Sequence, residues 1–547
     1  MTADDEFPQR GAAGRAVVAT ASPLATGAAL RMLARGGSAA DALVAALAVL
    51  TFAEANASGF GGGAVIVWHH AGSGASGVVD GLSAAPARVT AALQQDFDGR
   101  VIPLERVMTG GRSVGVPGAL RALELFHRRF GRLGWASLLE PAIEMAEAGI
   151  PMPVNLSRTL GEVPGMKDEP MTRALFFGVD GRPLPAGATI RNPAFGRTLR
   201  LVAEEGAGAL YEGALARAMV DAACGDVLPS ALTERDFAEY CAIERAPLRA
   251  ALGEATVLTA PPPVFGGLVA GQILGIMQAR GLVGQDLAAS DAALHVLCEA
   301  GRLAYADRGA YVGDPDFVDD PSTALLDGGY LEARARLIDD AAVAARVAPG
   351  RVAGVAAAAP GGGLGGSLTS HMVVVDGHGL VASMTTTVNQ QFGSRLAACG
   401  FYLNNVQTNF AKTPEAGGVA SRNAMAPGKR AMTSFAPALL LGANGLPRAA
   451  IGGSGGNRIP GFVANGLLRV AAGGRDAAAV VAAPHALRSG AVTDIEPALA
   501  AHVPALTRRG HWAMVRRLDA AAQAAVRDGE GWTAGADPRR GGSAGAM

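Results

Sequence analysis

The chain has 547 residues, half of them apolar and 17% charged, which is material for two or more conventional domains or one large α/β unit with a packed core. A net charge of −1 with no basic run sets nucleic acid aside as a partner. The four cysteines, Cys224, Cys241, Cys298 and Cys399, stand far apart without a C-x-x-C pair, so neither a zinc knuckle nor a disulfide framework is indicated.

The N-terminal MTADDEFPQRGAAGR is acidic and broken by Pro and Gly, with no positive segment leading into an apolar one, so a cytoplasmic protein is expected. The longest apolar stretch, Ala42 to Ala53, is too short to cross a bilayer, and no membrane partner is expected. Ser22-Pro23 opens a helix that Arg35-Gly36-Gly37 closes, and Ser38 caps a second running through Asp41 to about Phe52. The Gly-rich turn Ser58-Gly59-Phe60-Gly61-Gly62-Gly63 leads into a strand at Ala64–Trp68. Residues 117–150 read as helical, and 289–311 as an amphipathic helix ending near Asp307-Arg308. From about 340 to 367 the composition turns to low-complexity Ala/Gly/Pro, the signature of a surface linker. The pattern then becomes β: HMVVVD, a Gly turn, and LVASMTTTVN. No internal repeat is visible, and β content flanked by helices predicts sheets covered by helices.

A linker that stops at Thr369, where a buried-looking strand begins, is the most informative boundary in the chain. A threonine hydroxyl is a weak nucleophile unless a base lies within hydrogen-bond reach. If the chain is cut between Leu368 and Thr369, the freed α-amine of Thr369 is that base. Thr is also an ordinary strand former, so position and spacing alone leave both readings open.

The order of motifs resembles the gamma-glutamyltransferase family, of the N-terminal-nucleophile hydrolases. The resemblance runs from Thr369-Ser370-His371 and Val373-Val374-Val375-Asp376 through Thr385-Thr386-Thr387-Val388-Asn389, Phe392-Gly393-Ser394 and Leu403-Asn404-Asn405 to Gly453-Ser454-Gly455-Gly456-Asn457-Arg458. Upstream it includes Gly36-Gly37-Ser38-Ala39-Ala40-Asp41, Gly59-Phe60-Gly61-Gly62, Gly115-Val116-Pro117-Gly118 and Tyr305-Ala306-Asp307-Arg308, and it covers roughly residues 17–500. It implies an α+β fold, a four-layer αββα sandwich self-cleaved into two subunits. The large subunit, 1–368, would supply the helical cover, part of the sheets and the linker at about 340–368. The small catalytic subunit, 369–547, would begin with the nucleophile Thr369. By the same resemblance Thr387 supports the nucleophile, Gly455 and Gly456 present the oxyanion-hole N–H groups, and Asn389, Thr433 and Ser434 hold the substrate's polar end. The implied partners are a small amide or acyl substrate and the two fragments of the chain itself; an oligomer is compatible with this reading.

The sequence departs from the family where gamma-glutamyl groups are read. The family's D-x-R-E-x-A-P stretch is here Asp80-Gly81-Leu82-Ser83-Ala84-Ala85-Pro86, so Leu82 replaces the Arg that pairs with the substrate α-carboxylate. After Asn404-Asn405, Val406 replaces a Gln, and Asn409 replaces the Asp that binds the α-ammonium. Loss of both partners costs about 2–5 kcal/mol and favours a donor without the glutamyl zwitterion. Relatives with altered pockets include cephalosporin acylases, an oxamate amidohydrolase and C–C hydrolases releasing an oxalyl-type fragment. A true glutathione hydrolase is the alternative, and an inactive binding protein the remote one.

A rival reading takes Gly452-Gly453-Ser454-Gly455-Gly456 as a G-x-S-x-G nucleophile elbow with Asp494 and His502 following. That fold needs repeated βα units around the elbow, the β-rich block at 369–411 argues otherwise, and Ser454 is better read as part of the oxyanion loop. No H-E-x-x-H or phosphate-loop motif is present, and Gly59-x-Gly61 precedes a strand instead of opening a helix, so no metal and no cofactor are expected.

Overall fold

The computed structural model describes residues 10–91, 93–96, 98–359 and 368–547. Two seven-stranded antiparallel sheets face each other. The first has the order β14 (Ser543–Ala546), β2 (Val17–Thr20), β8 (Ser370–Val375), β9 (Leu380–Thr387), β3 (Gly63–His70), β4 (Ala75–Gly81), β5 (Ile243–Arg245). The second has the order β1 (Gly11–Gly14), β13 (Gly531–Ala536), β12 (Ala521–Asp528), β11 (Pro447–Ser454), β10 (Ala438–Leu441), β7 (Ala255–Thr259), β6 (Leu248–Leu252).

Alternation along the strands sorts side chains into three cores. Val65, Val67, Val373, Val375, Val381, Leu439 and Ala450 meet between the sheets. Their neighbours Ile66, Met372, Val374, Ala382 and Met384 point the other way, onto α1 (Pro23–Ala34), α2 (Ala39–Ala53), α3 (Ala119–Phe130) and α4 (Trp135–Ala148). The outer face of the second sheet, through Val257, Leu440, Ile451 and Ala524, is covered by α5 (Phe265–Ala279), α6 (Asp291–Tyr311) and α7 (Ile459–Ala471). The layer order is αββα, as the resemblance implied. Strands buried on both faces explain why their sequences read as apolar runs.

The Ser38 cap is a full capping box with Asp41, and α2 is buried along its whole length. The helical stretch expected at 117–150 is two helices, because Gly131 and Gly134 break it after Phe130. The helix expected to end near Asp307-Arg308 continues to Tyr311. No helix or strand occupies 336–359; the remainder of the expected linker, 360–367, lies outside the described residues.

Candidate active site

The site is built by strand register. Ser370 pairs with Thr386, so continuing the β8–β9 ladder by one residue sets Thr369 opposite Thr387. Side-chain alternation puts Thr369 on the face that carries His371, Val373 and Val375, toward the second sheet. Across the sandwich, Gly452 lies against His371: a Cβ there would be 2.2 Å from His371 Cε1. Val375 and Asp376 share a surface pocket with Pro447, so β8 and β11 run in opposite directions. Thr369 and the Ser454-Gly455-Gly456 turn therefore lie at the same end.

His371 itself is structural. Its Nδ1 is 2.9 Å from Thr385 Oγ1 and its Nε2 is 3.3 Å from Ser383 Oγ, while the Ser383 hydroxyl donates to the Ile451 carbonyl at 3.1 Å. Burial pushes the imidazole down to about 3, so it is neutral and ties the sheets together without charge.

Thr387 occupies a hydrogen-bonded position beside the expected cleavage bond. Its Oγ1 accepts from the Asn389 N–H at 2.8 Å and donates to the Leu368 carbonyl, with the Ala57 carbonyl an alternative acceptor at 3.2 Å. A hydroxyl has one proton, so it serves one carbonyl at a time. Thr369 and Thr387 are both buried.

Gly455 is glycine by necessity, and Gly456 takes a left-handed conformation beside it. Their φ angles are +122° and +61°, and a Cβ on Gly455 would lie 2.4 Å from Ala520 Cβ. The chain then passes through a single turn at Gly456–Arg458 into α7, whose positive N-terminal end favours negative charge here.

The expected substrate positions cluster on the loops beyond these strands. Asn389 sits at φ +86°, and its Nδ2 lies 3.0–3.1 Å from Asn405 O, Asn405 Oδ1 and Thr408 Oγ1. Asn409 is buried on the turn Val406–Asn409, and its carbonyl accepts from Asn423 Nδ2 at 2.7 Å. Asn389 Oδ1, Asn409 Oδ1 and both side-chain polar atoms of Gln407 are buried without a protein partner among the described residues. Val406 packs on Gly115. The backbone of Thr433 is locked to the Pro263–Phe265 turn by bonds of 3.1 and 2.9 Å, and Ser434 O excludes any side chain at Gly266.

Leu82 lies in the core between the sheets, and its polar backbone is spent: the N–H donates to Asp80 Oδ1 at 3.0 Å and the carbonyl accepts from Tyr240 at 2.7 Å. Arg430 and Arg245 reach Asp80 at 2.8 and 2.9 Å. Burial opposes its ionisation, yet these two guanidiniums hold the carboxyl below its ordinary range. Both cations are thereby engaged, and none comes from position 82.

The elbow reading is not supported by geometry. Asp494 pairs with Arg458 and Arg516, and His502 lies 2.6 Å from Asp291, so neither joins Ser454 in a relay. Two residues near the site escaped sequence reasoning. Glu54 accepts from the Ser370 hydroxyl at 2.9 Å, and Arg540 donates to Ser454 Oγ at 3.2 Å. An acidic residue closing an otherwise apolar helix was the available signal for Glu54.

The sequence profile of the family described as Gamma-glutamyltranspeptidase matches residues 25–547. The Acylase ACY 1 proenzyme of Pseudomonas sp. (strain SE83) is 33% identical over 509 residues, covering 91% of this chain and 87% of that protein. The Glutathione hydrolase proenzyme of Bacillus subtilis (strain 168) is 30% identical over 465 residues, 83% of this chain and 77% of its own. Among solved structures, the cephalosporin acylase from Bacillus halodurans superposes with a TM-score of 0.83 at 26% identity, covering 98% of this chain and 96% of that one.

Proposed function

This chain belongs to the gamma-glutamyltranspeptidase family, and from that premise we propose that it cuts itself between Leu368 and Thr369 and then works as a threonine amidohydrolase or acyltransferase. Residues 1–368 become the large subunit and 369–547 the small one. The observation that carries the reading is the hydrogen bond from the Thr387 hydroxyl to the Leu368 carbonyl, the carbonyl of the bond to be cut.

In the uncut chain, Thr369 Oγ attacks the Leu368 carbonyl carbon while Thr387 steadies the charge growing on its oxygen. The N–H of Asn389, donating into Thr387, polarises that hydroxyl further. The hydroxyl proton passes to the amide nitrogen, which leaves as the α-amine of Thr369, and water then releases the Leu368 carboxylate from the resulting ester. In the cut enzyme the α-amine takes the proton from Thr369 Oγ as it attacks the substrate acyl carbon. The Gly455-Gly456 turn, at the mouth of α7, presents backbone N–H groups to the tetrahedral oxyanion. The substrate's amine leaves with that proton, giving the Thr369 ester, and water or an acceptor amine then takes the acyl group.

The relatives' names print two activities, acylase and glutathione hydrolase. The residues at the glutamyl-reading positions favour the acylase side. A gamma-glutamyl donor brings an α-carboxylate and an α-ammonium, and Leu82 and Asn409 supply no charge for either. Unpartnered acceptors at Asn389 and Asn409 suit an acyl group that offers neutral hydrogen-bond donors. The test is a panel of acyl-p-nitroanilides against the cut enzyme. Donors without the α-ammonium and α-carboxylate are expected to turn over fastest; gamma-glutamyl-p-nitroanilide as the best substrate would refute this choice of donor.

A further inference from the structure

Behind the strand that carries Thr369 lies a carboxylate that the mechanism above leaves unused. Glu54 closes α2 and starts a five-residue turn to Ser58, in which the N–H groups of Ala57 and Ser58 donate to the Glu54 carbonyl at 2.8 and 3.2 Å. This turn grips both strands of the site. The Ala57 carbonyl accepts from Val388 N at 3.0 Å and lies within reach of Thr387 Oγ1. Ser58 Oγ meets Ser370 Oγ at 2.8 Å, and Ser370 Oγ donates to Glu54 Oε2 at 2.9 Å. Ser370 has the opposite alternation to Thr369, so its side chain points back toward the helix layer, where Glu54 stands.

We propose that Glu54 is a positioning residue for Thr369: it fixes the strand start through Ser370 and, once the chain is cut, governs whether the Thr369 α-amine carries a proton. This rests on the self-cleaving reading above. The α-amine belongs to the residue beside Ser370, and only its unprotonated form accepts the Thr369 hydroxyl proton. An anionic Glu54 favours the ammonium form, whereas a neutral Glu54 leaves the free amine.

The surroundings place Glu54 where this matters. Loss of hydration pushes its carboxyl up to about 7, against the opposing Ser370 hydrogen bond and the charge of Arg540. The carbonyl end of α2 is a further unfavourable place for an anion. Arg540 faces Glu54 from the C-terminal segment, but it is shared with Ser454 Oγ at 3.2 Å and Asp519 at 3.3 Å. His371, next along the strand, stays neutral and points to the other sheet. A free α-amine ordinarily titrates at about 8, so Glu54 and the new amine change charge in the same pH range.

The experiment measures the α-amine without any substrate. Cut wild type, Glu54→Gln and Ser370→Ala are pulse-labelled with acetic anhydride over about pH 5–9, and acetylation of the Thr369 N-terminal peptide is read by mass spectrometry. In Glu54→Gln the midpoint of labelling is expected to fall by about half to one pH unit. Ser370→Ala, which removes the hydrogen bond that favours the ionised carboxyl, shifts the midpoint in the same direction by less and is cut more slowly. Identical midpoints in wild type and Glu54→Gln would overturn the assignment. A Glu54→Gln chain that melts like wild type but stays uncut would place the need one step earlier, and Glu54→Asp must then restore cutting; its failure would also overturn the proposal. An uncut wild type would instead remove the reading on which it rests.

Discussion

Thr387→Val isolates the one hydrogen bond on which the cleavage mechanism depends. Valine keeps the β-branched shape that the buried strand position requires, while the hydroxyl's bonds to Leu368 and Ala57 are lost. It removes the donor to the Leu368 carbonyl and leaves the Asn389 N–H, formerly bonded at 2.8 Å, without its acceptor. Loss of one donor to a developing oxyanion costs about 3–4 kcal/mol of transition-state stabilisation, or 10²–10³ in rate. The orphaned N–H costs the fold a further ~1–3 kcal/mol. The precursor should therefore accumulate, and its conversion can be followed by intact-mass spectrometry of purified protein over hours to days. Thr387→Ser, which keeps the hydroxyl, should cut within about tenfold of wild type. A folded Thr387→Val chain recovered fully cut, as fast as wild type, would show that the Thr387 hydroxyl does not assist cleavage.

Gly455→Ala should lose both turnover and stability, since the new methyl meets Ala520 at 2.4 Å and the residue must hold φ at +122°; thermal melting and acyl-p-nitroanilide turnover check this, with a stability loss of about 1–3 kcal/mol expected. Asn409→Asp restores the anion expected for an α-ammonium and should raise kcat/KM on gamma-glutamyl-p-nitroanilide by about tenfold, a gain of ~1.4 kcal/mol. Stability should also fall on acidification because of His371. Its folded pKa, about 3, lies below the ordinary value of 6.5, so its contribution is fully present above 6.5 and is lost as pH falls toward 3. Melting temperatures of wild type and His371→Leu, measured across that window, should converge as the pH drops.

Much of the frame was legible because it rests on local chemistry. The Ser38 cap, the glycine C-cap of α1 and the Gly-rich turn before β3 each follow from one or two residues with a fixed conformational demand. The strand boundary at Thr369 was visible because a low-complexity segment gives way to a β pattern. What stayed hidden depends on distant pairings. AAQAAVRD, at 521–528, has the alanine content of a helix yet forms an interior strand, since β11 and β13 pair with it on either side. Likewise, no spacing rule joins Glu54 to Ser370 or Arg540 to Ser454, contacts that span 316 and 86 residues. Leu82 shows the same limit from the other side: its replacement of an arginine was evident, but its place in the core between the sheets needed the fold.

If Thr369 is both the cutting and the catalytic nucleophile, intact-mass spectrometry of wild type beside Thr369→Ala will show it. Two wild-type species, 1–368 and 369–547, are expected, beside a single uncut Thr369→Ala chain without turnover. A wild type that stays whole over days, or a Thr369→Ala chain that still separates at Leu368, would contradict that assignment.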